Sequence, residues 1–277
     1  MKKALLVGIN YLGTPNQLGG CINDVLNVRE VLINHYGYDP RNILLLTDGK
    51  VESSRMGQSS SYAPTKQTIL GGCGWLVTGD PADKFNPSRY GDNSPVVTGQ
   101  FYFHYSGHGT RVAESSSLHD AICPVDFPSV GMIDDGELSR HLTHRINQDS
   151  VLHAVLDACH SANCFDLDWT YVPLPLNLGY TLRKTGNFPP TAGKVILLSG
   201  CQDDQTSADL ITTNYQGQRQ DQGALTCILL KVLATNNYHL PCGQLLHEVS
   251  MGIKPLSSQV PALTFGQQSD INVPFQL

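Results

Sequence analysis

The sequence predicts an α/β domain in which helices cover both faces of a mostly parallel sheet. Three observations lead to this fold class: several short runs are almost continuously apolar, segments of helical periodicity lie between them, and the alternation continues along the chain. Strands that are apolar on both faces are typical of a parallel sheet buried between helices. Their alternation with helices gives three layers joined by right-handed crossovers.

The predicted strands are runs of apolar, β-branched or aromatic residues. They are Lys3–Ile9, Asn42–Thr47, Gln100–Tyr105, Val151–Leu156 and Lys194–Leu198. None approaches the roughly 18 apolar residues that a membrane-spanning helix needs. We therefore expect buried strands of one sheet.

Three segments between these strands carry apolar side chains at helical spacing. In Asp24–Tyr36 the apolar positions include Val25 and Val28, and similar stripes occur in Ile133–Ile146 and Asp221–Ala234. Three stretches rich in Ser, Asn, Pro or Gly break the pattern and are predicted to be long surface loops. These loops are Val51–Pro64, Asp83–Pro95 and Pro173–Ala192.

Length and charge exclude some classes of function. We expect the 277 residues to form one domain, residues 1–277, in which neither a signal peptide nor an N-terminal pro-region is seen. The net charge of −6 and the absence of any Lys/Arg-rich run argue against nucleic-acid or membrane partners. The eight cysteines contain no C-x2-C pair, which favours reduced thiols in a cytoplasmic or nuclear protein, although a secreted domain with disulfides stays open.

Chemically active residues follow two of the predicted strands. Gln100–Tyr105 runs into Ser106-Gly107-His108-Gly109, and Val151–Leu156 runs into Asp157-Ala158-Cys159-His160. The carboxyl ends of neighbouring parallel strands face one crevice, where ligands bind. We therefore expect His108 and Cys159 to meet across it.

These two motifs resemble those of the type I metacaspases, which are caspase-like cysteine peptidases. The resemblance runs almost end to end and includes Leu6-Val7-Gly8-Ile9-Asn10-Tyr11, Gly20-Cys21-Ile22-Asn23-Asp24-Val25, Pro124-Val125-Asp126-Phe127, Ile133-Asp134-Asp135 and the segment 199–209. It implies a caspase-like three-layer α/β/α sandwich. The implied activity is that of a cysteine endopeptidase on protein or peptide substrates, and the expected oligomeric state is a monomer.

The resemblance also implies a catalytic dyad. Cys159 is the expected nucleophile and His108 the group that takes its proton and later protonates the leaving amine. In family members the oxyanion is bound by backbone N–H groups, here those of Gly109 and Cys159. Zinc binding by His108, His160 and Cys159 is an alternative that no metal-site spacing supports.

Substrate preference is expected to be for Arg or Lys at the cleaved bond. The positions that match the family's acidic pocket are Asp24 and Asp157, with Ser106 lining the same pocket. Asp24 has a structural alternative, because an Asp that opens a helix is a good N-cap or first-turn residue.

A second group of carboxylates implies calcium as an activator. The matching aspartates are Asp120, Asp134, Asp135 and Asp166, and four carboxylates suit an ion that takes six to eight oxygen ligands. Asp134 has an alternative role as the cap of the following helix. We further expect calcium-dependent self-cleavage in Pro173–Ala192, after Arg183 or Lys184.

Some features depart from the family pattern or leave another function open. Ala158 and Ala162 replace more usual residues around Cys159, and Ala162 is expected to reshape the turn because Ala resists positive φ. An inactive relative that acts as a regulatory or protein-binding module is the alternative function. A third possibility, cleavage after Asp, predicts basic residues where this sequence has aspartates.

Overall fold

The computed structural model describes residues 1–49, 61–91, 93–114, 117–161, 164–173, 179–200, 209–257, 259–275 and 277. Its strands, in chain order, are β1 (Lys2–Gly8), β2 (Ile43–Thr47), β3 (Ser61–Tyr62), β4 (Gln100–Ser106), β5 (Gly109–Glu114), β6 (Ser117–Ile122), β7 (Ile133–Asp134), β8 (Val151–Asp157), β9 (Trp169–Pro173), β10 (Tyr180–Lys184), β11 (Lys194–Ser199), β12 (Asp209–Thr213), β13 (Arg219–Gly223), β14 (Leu240–Pro241), β15 (Ala262–Phe265) and β16 (Pro274–Phe275). Its helices are α1 (Cys21–Tyr36), α2 (Lys66–Leu76), α3 (Phe127–Val130), α4 (Asp135–His141), α5 (Ala224–Thr235) and α6 (Cys242–Ile253).

The largest sheet of the described residues has nine strands in the order β10-β9-β15-β11-β8-β4-β1-β2-β3. From β11 to β3 all neighbouring strands are parallel, whereas β15, β9 and β10 join by antiparallel pairing. The predicted mostly parallel sheet is therefore confirmed. All five predicted strands belong to it, with ends that differ by one residue at most.

Helices cover both faces of the sheet. Successive side chains of a strand point to opposite faces, so each central strand contributes to two cores. In β1, Ala4 and Leu6 pack into a core that includes α1, α5 and α6, whereas Leu5 and Val7 pack into a core that includes α2 and α4. The expected three-layer α/β/α arrangement is thus confirmed. No helix within the described ranges is long and apolar enough to span a membrane.

Two predicted helices begin later than expected, because their first residues form β-strands that pair with neighbouring strands. The stripe Ile133–Ile146 begins as strand β7, which pairs with β6, and only then becomes α4. The stripe Asp221–Ala234 becomes helical only at Ala224, because the preceding residues pair with β12. Asp134 caps α4, accepting a hydrogen bond from the Glu137 N–H at 2.8 Å.

Helix α2 carries no obvious helical signal, since three of its eleven residues are glycines, which disfavour helix interiors. The glycines allow close packing instead. A Cβ at Gly71 would lie 2.6 Å from the backbone of Pro87, and one at Gly74 would lie 2.7 Å from the carbonyl oxygen of Tyr90. These distances exclude any side chain, so the glycines are explained by packing rather than by propensity.

The predicted long loops are wrong in part. Pro173–Ala192 contains β10, which pairs antiparallel with β9 at the edge of the sheet, while residues 174–178 lie outside the described residues. Asp83–Pro95 includes a 3-10 turn at Pro87–Arg89. Of Val51–Pro64, residues 51–60 lie outside the described residues, and Ser61–Tyr62 forms the edge strand β3. The seven cysteines of the described part are free and buried.

Candidate active site

The site is built where β4 and β8 end side by side. Ser106, the last residue of β4, pairs with Asp157, the last residue of β8, and also with Gly8 of β1. Because these strands are parallel, the chain segments that follow them leave the same edge of the sheet. The turns that carry His108 and Cys159 are therefore neighbours, as the sequence predicts.

The backbones of the two turns are in direct contact. A Cβ at Gly109 would overlap the carbonyl oxygen of Cys159 and lie 3.0 Å from its carbonyl carbon. Gly107 donates its N–H to the carbonyl oxygen of Asp157 at 3.3 Å. Cys159 itself is 8% exposed. Only glycine at position 109 allows this approach, which explains its place after the histidine.

The His108 imidazole is oriented by a backbone carbonyl. Its Nε2 lies 2.8 Å from the carbonyl oxygen of Asn16, in the exposed segment that follows β1. A carbonyl oxygen only accepts hydrogen bonds, so this contact assigns the proton to Nε2 and leaves Nδ1 as the acceptor. Sequence reasoning missed Asn16 because the contact uses its main chain, for which any residue type would serve.

Two tyrosines for which the sequence predicts no role, Tyr11 and Tyr105, also contact the histidine. The Tyr11 ring lies 4.7 Å from the His108 imidazole, centroid to centroid. The Tyr105 hydroxyl donates a hydrogen bond to the carbonyl oxygen of His108 at 2.7 Å. The Tyr11 contact leaves no pattern in the sequence, because it depends on the pairing of β1 with β4.

The expected pocket residues Asp24, Ser106 and Asp157 do come together. Ser106 donates its hydroxyl to Asp24 Oδ2 at 2.6 Å. A Cβ at Gly223 would lie 2.7 Å from Asp24 Oδ2 and would overlap Asp157 Oδ2, so the two carboxylates flank one point. Asp24 is 0% and Asp157 1% exposed.

Both carboxylates are held by the junction of β13 and α5. The Gly223 N–H lies 3.1 and 3.0 Å from the two oxygens of Asp24. Asp157 Oδ2 accepts from the N–H and the hydroxyl of Thr226, each at 2.8 Å. Asp157 therefore sits at the amino end of α5, where N–H groups lack helical partners and negative charge is favoured.

The structure also decides the alternative role of Asp24. It lies in the first turn of α1, but the N-cap is Gly20, which makes no side-chain hydrogen bond. The Asp24 carboxylate instead bonds to Ser106 and Gly223. These residues end β4 and β13, two strands that α1 packs against. Asp24 is thus a first-turn residue whose carboxylate is bonded to β4 and β13.

The four expected calcium ligands lie around β6, β7 and the segment after Cys159, but most already have partners. Asp120 Oδ1 lies 3.1 Å from Nε of Arg111, and Asp135 Oδ1 lies 2.9 Å from Nδ1 of His119. Asp134 caps α4. As arranged, no three metal-ligating side chains of the described residues are close enough to hold an ion.

Asp166 is the most strained member of this group. Its backbone has φ 51, in the left-handed region that non-glycine residues rarely adopt. Burial, together with the nearby Asp135 charge, raises the pKa of its carboxyl to about 6, against a hydrogen bond from Ser139 that lowers it. The donors are all carboxylate oxygens, which suit calcium, yet their present geometry does not fit the ion.

The remaining predicted residues are placed as follows. Arg183 and Lys184 are exposed at the end of edge strand β10, and Lys184 Nζ lies 3.2 Å from Asp168 Oδ2. They are therefore part of a β-ladder rather than of the predicted open loop. Ala158 is buried, and its Cβ would lie 3.2 Å from a Cβ at Gly109. Ala162 lies outside the described residues.

Comparison with known proteins assigns the family. Residues 2–168 match the family described as "Metacaspase, peptidase C14 domain". Metacaspase-1 of Scheffersomyces stipitis is 31% identical over 99% of this chain and 73% of its own length, and Metacaspase-1 of Arabidopsis thaliana is 32% identical over 91% and 65% respectively.

A solved structure shows the same fold. A crystal structure of a Geobacter sulfurreducens protein superposes with a TM-score of 0.60 at 18% identity, covering 97% of this chain and 94% of that one. At this identity the likeness extends to the fold alone. The family match and the relatives go further: the chain belongs to the metacaspase family and is a caspase-like cysteine peptidase that acts on protein substrates.

Proposed function

We propose that this peptidase cleaves protein chains after Arg or Lys, with Cys159 as nucleophile and His108 as proton carrier. The observation that carries the specificity is the pair Asp24 and Asp157, two buried carboxylates that flank one point beside the Cys159 turn. A guanidinium or ammonium group is the natural partner of such a pair. A peptidase that cleaves after Asp would need basic side chains at these positions.

The dyad chemistry follows from the orientation of His108. With Nε2 bonded to the Asn16 carbonyl, Nδ1 is the atom that accepts the Cys159 thiol proton. The thiolate attacks the carbonyl carbon of the substrate, and the C–N bond then breaks as His108 returns the proton to the leaving amine. Water, deprotonated by the same imidazole, hydrolyses the thioester and releases the thiol.

The oxyanion of each tetrahedral intermediate needs N–H donors fixed in advance. The contact between Gly109 and the Cys159 carbonyl keeps the main chains of the two turns together. We assign the N–H groups of Gly109 and Cys159 to this role. Their fixed positions would supply the donors without reorganisation during the reaction.

Substrate access requires a local movement. Because Asp24 and Asp157 are buried and bonded to Gly223 and Thr226, a cationic side chain reaches them only when the β13–α5 junction shifts. Arg or Lys would then replace donors that the chain itself now supplies. The described structure is, on this proposal, a closed form of the pocket.

Calcium activation stays a prediction, and no step above depends on the ion. For Asp120 and Asp135 to turn toward calcium, they must first leave Arg111 and His119. The monomeric state also stays a prediction, which a light-scattering mass would test.

The decisive experiment is turnover of matched peptides that differ only in having Arg, Lys or Asp before the cleaved bond. We expect cleavage after Arg and Lys but not after Asp, and no cleavage by Cys159→Ala or His108→Ala. Cys242→Ala is the matched control, because burial raises the pKa of that thiol to about 12 and makes it unreactive. Turnover by Cys159→Ala contradicts the dyad, and cleavage after Asp contradicts the pocket.

A further inference from the structure

Two buried tyrosine hydroxyls lie under the turn that carries His108. Tyr11 follows β1 and is 1% exposed, and Tyr105 is the penultimate residue of β4 and is 0% exposed. Their hydroxyl oxygens are 3.1 Å apart. Burial raises the pKa of both phenols, so each keeps its proton and acts as a neutral hydrogen-bonding group.

The two hydroxyls bind both polar groups of the His108 main chain. Tyr11 Oη accepts from the His108 N–H at 3.0 Å, and the Tyr105 hydroxyl donates to the His108 carbonyl at 2.7 Å. Tyr11 donates its own proton to the Cys123 carbonyl at 2.6 Å, while Tyr105 Oη lies 3.3 Å from the Cys123 N–H. Each hydroxyl proton thus goes to its nearest carbonyl, and the network connects the turn to the residue after β6.

The backbone around this network is shaped for it. A Cβ at Gly107 would lie 2.7 Å from Tyr105 Oη and 3.1 Å from Tyr11 Oη, so only glycine leaves room for both hydroxyls. Tyr11 has φ 50, a left-handed conformation that costs a non-glycine residue energy and persists only where its surroundings hold it. Its aromatic ring contacts the His108 imidazole, but ring packing alone would be served equally well by Phe.

We propose that Tyr11 and Tyr105 are positioning residues, whose hydroxyls fix the His108 main chain so that the imidazole stays between the Asn16 carbonyl and the Cys159 turn. This inference rests on the proposed function only in taking His108 as the proton carrier. Proton transfer depends steeply on distance and direction, so a small displacement of the imidazole slows acylation without changing the specificity pocket. The pocket residues Asp24 and Asp157 are bonded to other groups, namely Ser106, Gly223 and Thr226.

The test is Tyr11→Phe, which keeps the ring and removes the hydroxyl. We expect kcat on the best peptide to fall by about 10- to 100-fold while KM changes less than about twofold, as for a misplaced catalytic group. The rate at which iodoacetamide modifies Cys159, followed by peptide mass spectrometry, should fall in parallel. Tyr171→Phe is the matched control: its hydroxyl also donates to one backbone carbonyl, that of Ser269 at 2.8 Å, but it lies on β9, three strands away from β8.

Tyr105→Phe and the double variant extend the test. Since both hydroxyls bind the main chain of one residue, His108, we expect Tyr105→Phe to lower kcat similarly and the double variant to lose less than the product of the two single effects. Thermal unfolding of each variant separates a folding defect from a kinetic one. Unchanged kcat in folded Tyr11→Phe and Tyr105→Phe, or losses matched by Tyr171→Phe, would overturn the inference. Inactive wild-type protein, or active Cys159→Ala, would instead overturn the proposed function.

Discussion

The main chain of Gly109 packs against the carbonyl group of Cys159, so closely that no side chain fits at position 109. We expect Gly109→Ala to push the two turns apart and to lower kcat by about 100-fold or more, because donors to the oxyanion must be fixed to within a fraction of an ångström. Steady-state kinetics and thermal unfolding of the purified variant check this.

Gly79→Ala is the control for that prediction. A Cβ there would meet only Val97, at an ordinary 3.5 Å, so activity should be retained. If Gly109→Ala turns over substrate at the wild-type rate, the two turns do not need their close contact and the oxyanion assignment fails.

The charge of Asp157 can be separated from its hydrogen bonds. Asp157→Asn keeps an oxygen that accepts from the N–H and hydroxyl of Thr226, so folding should be little affected. Losing one charge of a buried pair costs about 2–5 kcal/mol, and kcat/KM for Arg peptides should fall accordingly.

A citrulline peptide, which has the shape of Arg without its charge, sharpens this test of the pocket. Wild type should prefer Arg strongly over citrulline, and Asp157→Asn should lose most of that preference. The exposed Asp149, at the opposite end of β8, supplies the control Asp149→Asn. An unchanged preference in Asp157→Asn would place the specificity pocket elsewhere.

Asp166 predicts a pH dependence of stability. Burial raises the pKa of its carboxyl to about 6 in the folded protein, above the ordinary value, so the folded state binds the proton more tightly than the unfolded state. Its contribution to stability is therefore present below about pH 4 and is lost as pH rises through 6. In EDTA, Asp166→Asn should unfold a few degrees above wild type at pH 7–8, and the difference should vanish near pH 4. Asn also tolerates the left-handed backbone at this position. A variant less stable than wild type at pH 8 would contradict the prediction.

Arg111 is expected to compete with calcium for Asp120. Because its guanidinium holds that carboxylate at 3.1 Å, Arg111→Gln should bind calcium several-fold more tightly than wild type in titration calorimetry. Arg41→Gln, which breaks an exposed ion pair with Asp39, should leave the affinity unchanged. Absence of calcium binding in both proteins would remove the ion from the proposal.

The same samples also test self-cleavage. New termini after Arg183 or Lys184 would support it, and such cleavage requires β10 to leave β9.

The fold class was predictable because its signal is local. Continuous apolar runs such as Val151–Leu156 identify buried strands without any knowledge of their neighbours. The comparisons confirm the family and the peptidase class that the His108 and Cys159 motifs indicated. Helix α2 was not predicted, because glycine has low helix propensity. Its glycines are instead required by close contacts with Leu5, Pro87 and Tyr90.

The sequence by itself determined which strands are buried and that His108 and Cys159 follow two of them. Only the tertiary structure decided how those residues are held. The carbonyl of Asn16, the hydroxyl of Tyr11 and the N–H of Gly223 act on residues far away in the chain. Two of these three are backbone groups, which every residue type carries, and the third depends on strand pairing. Such contacts leave no pattern in one sequence, because they arise only when the parallel strands bring their carboxyl ends to one edge.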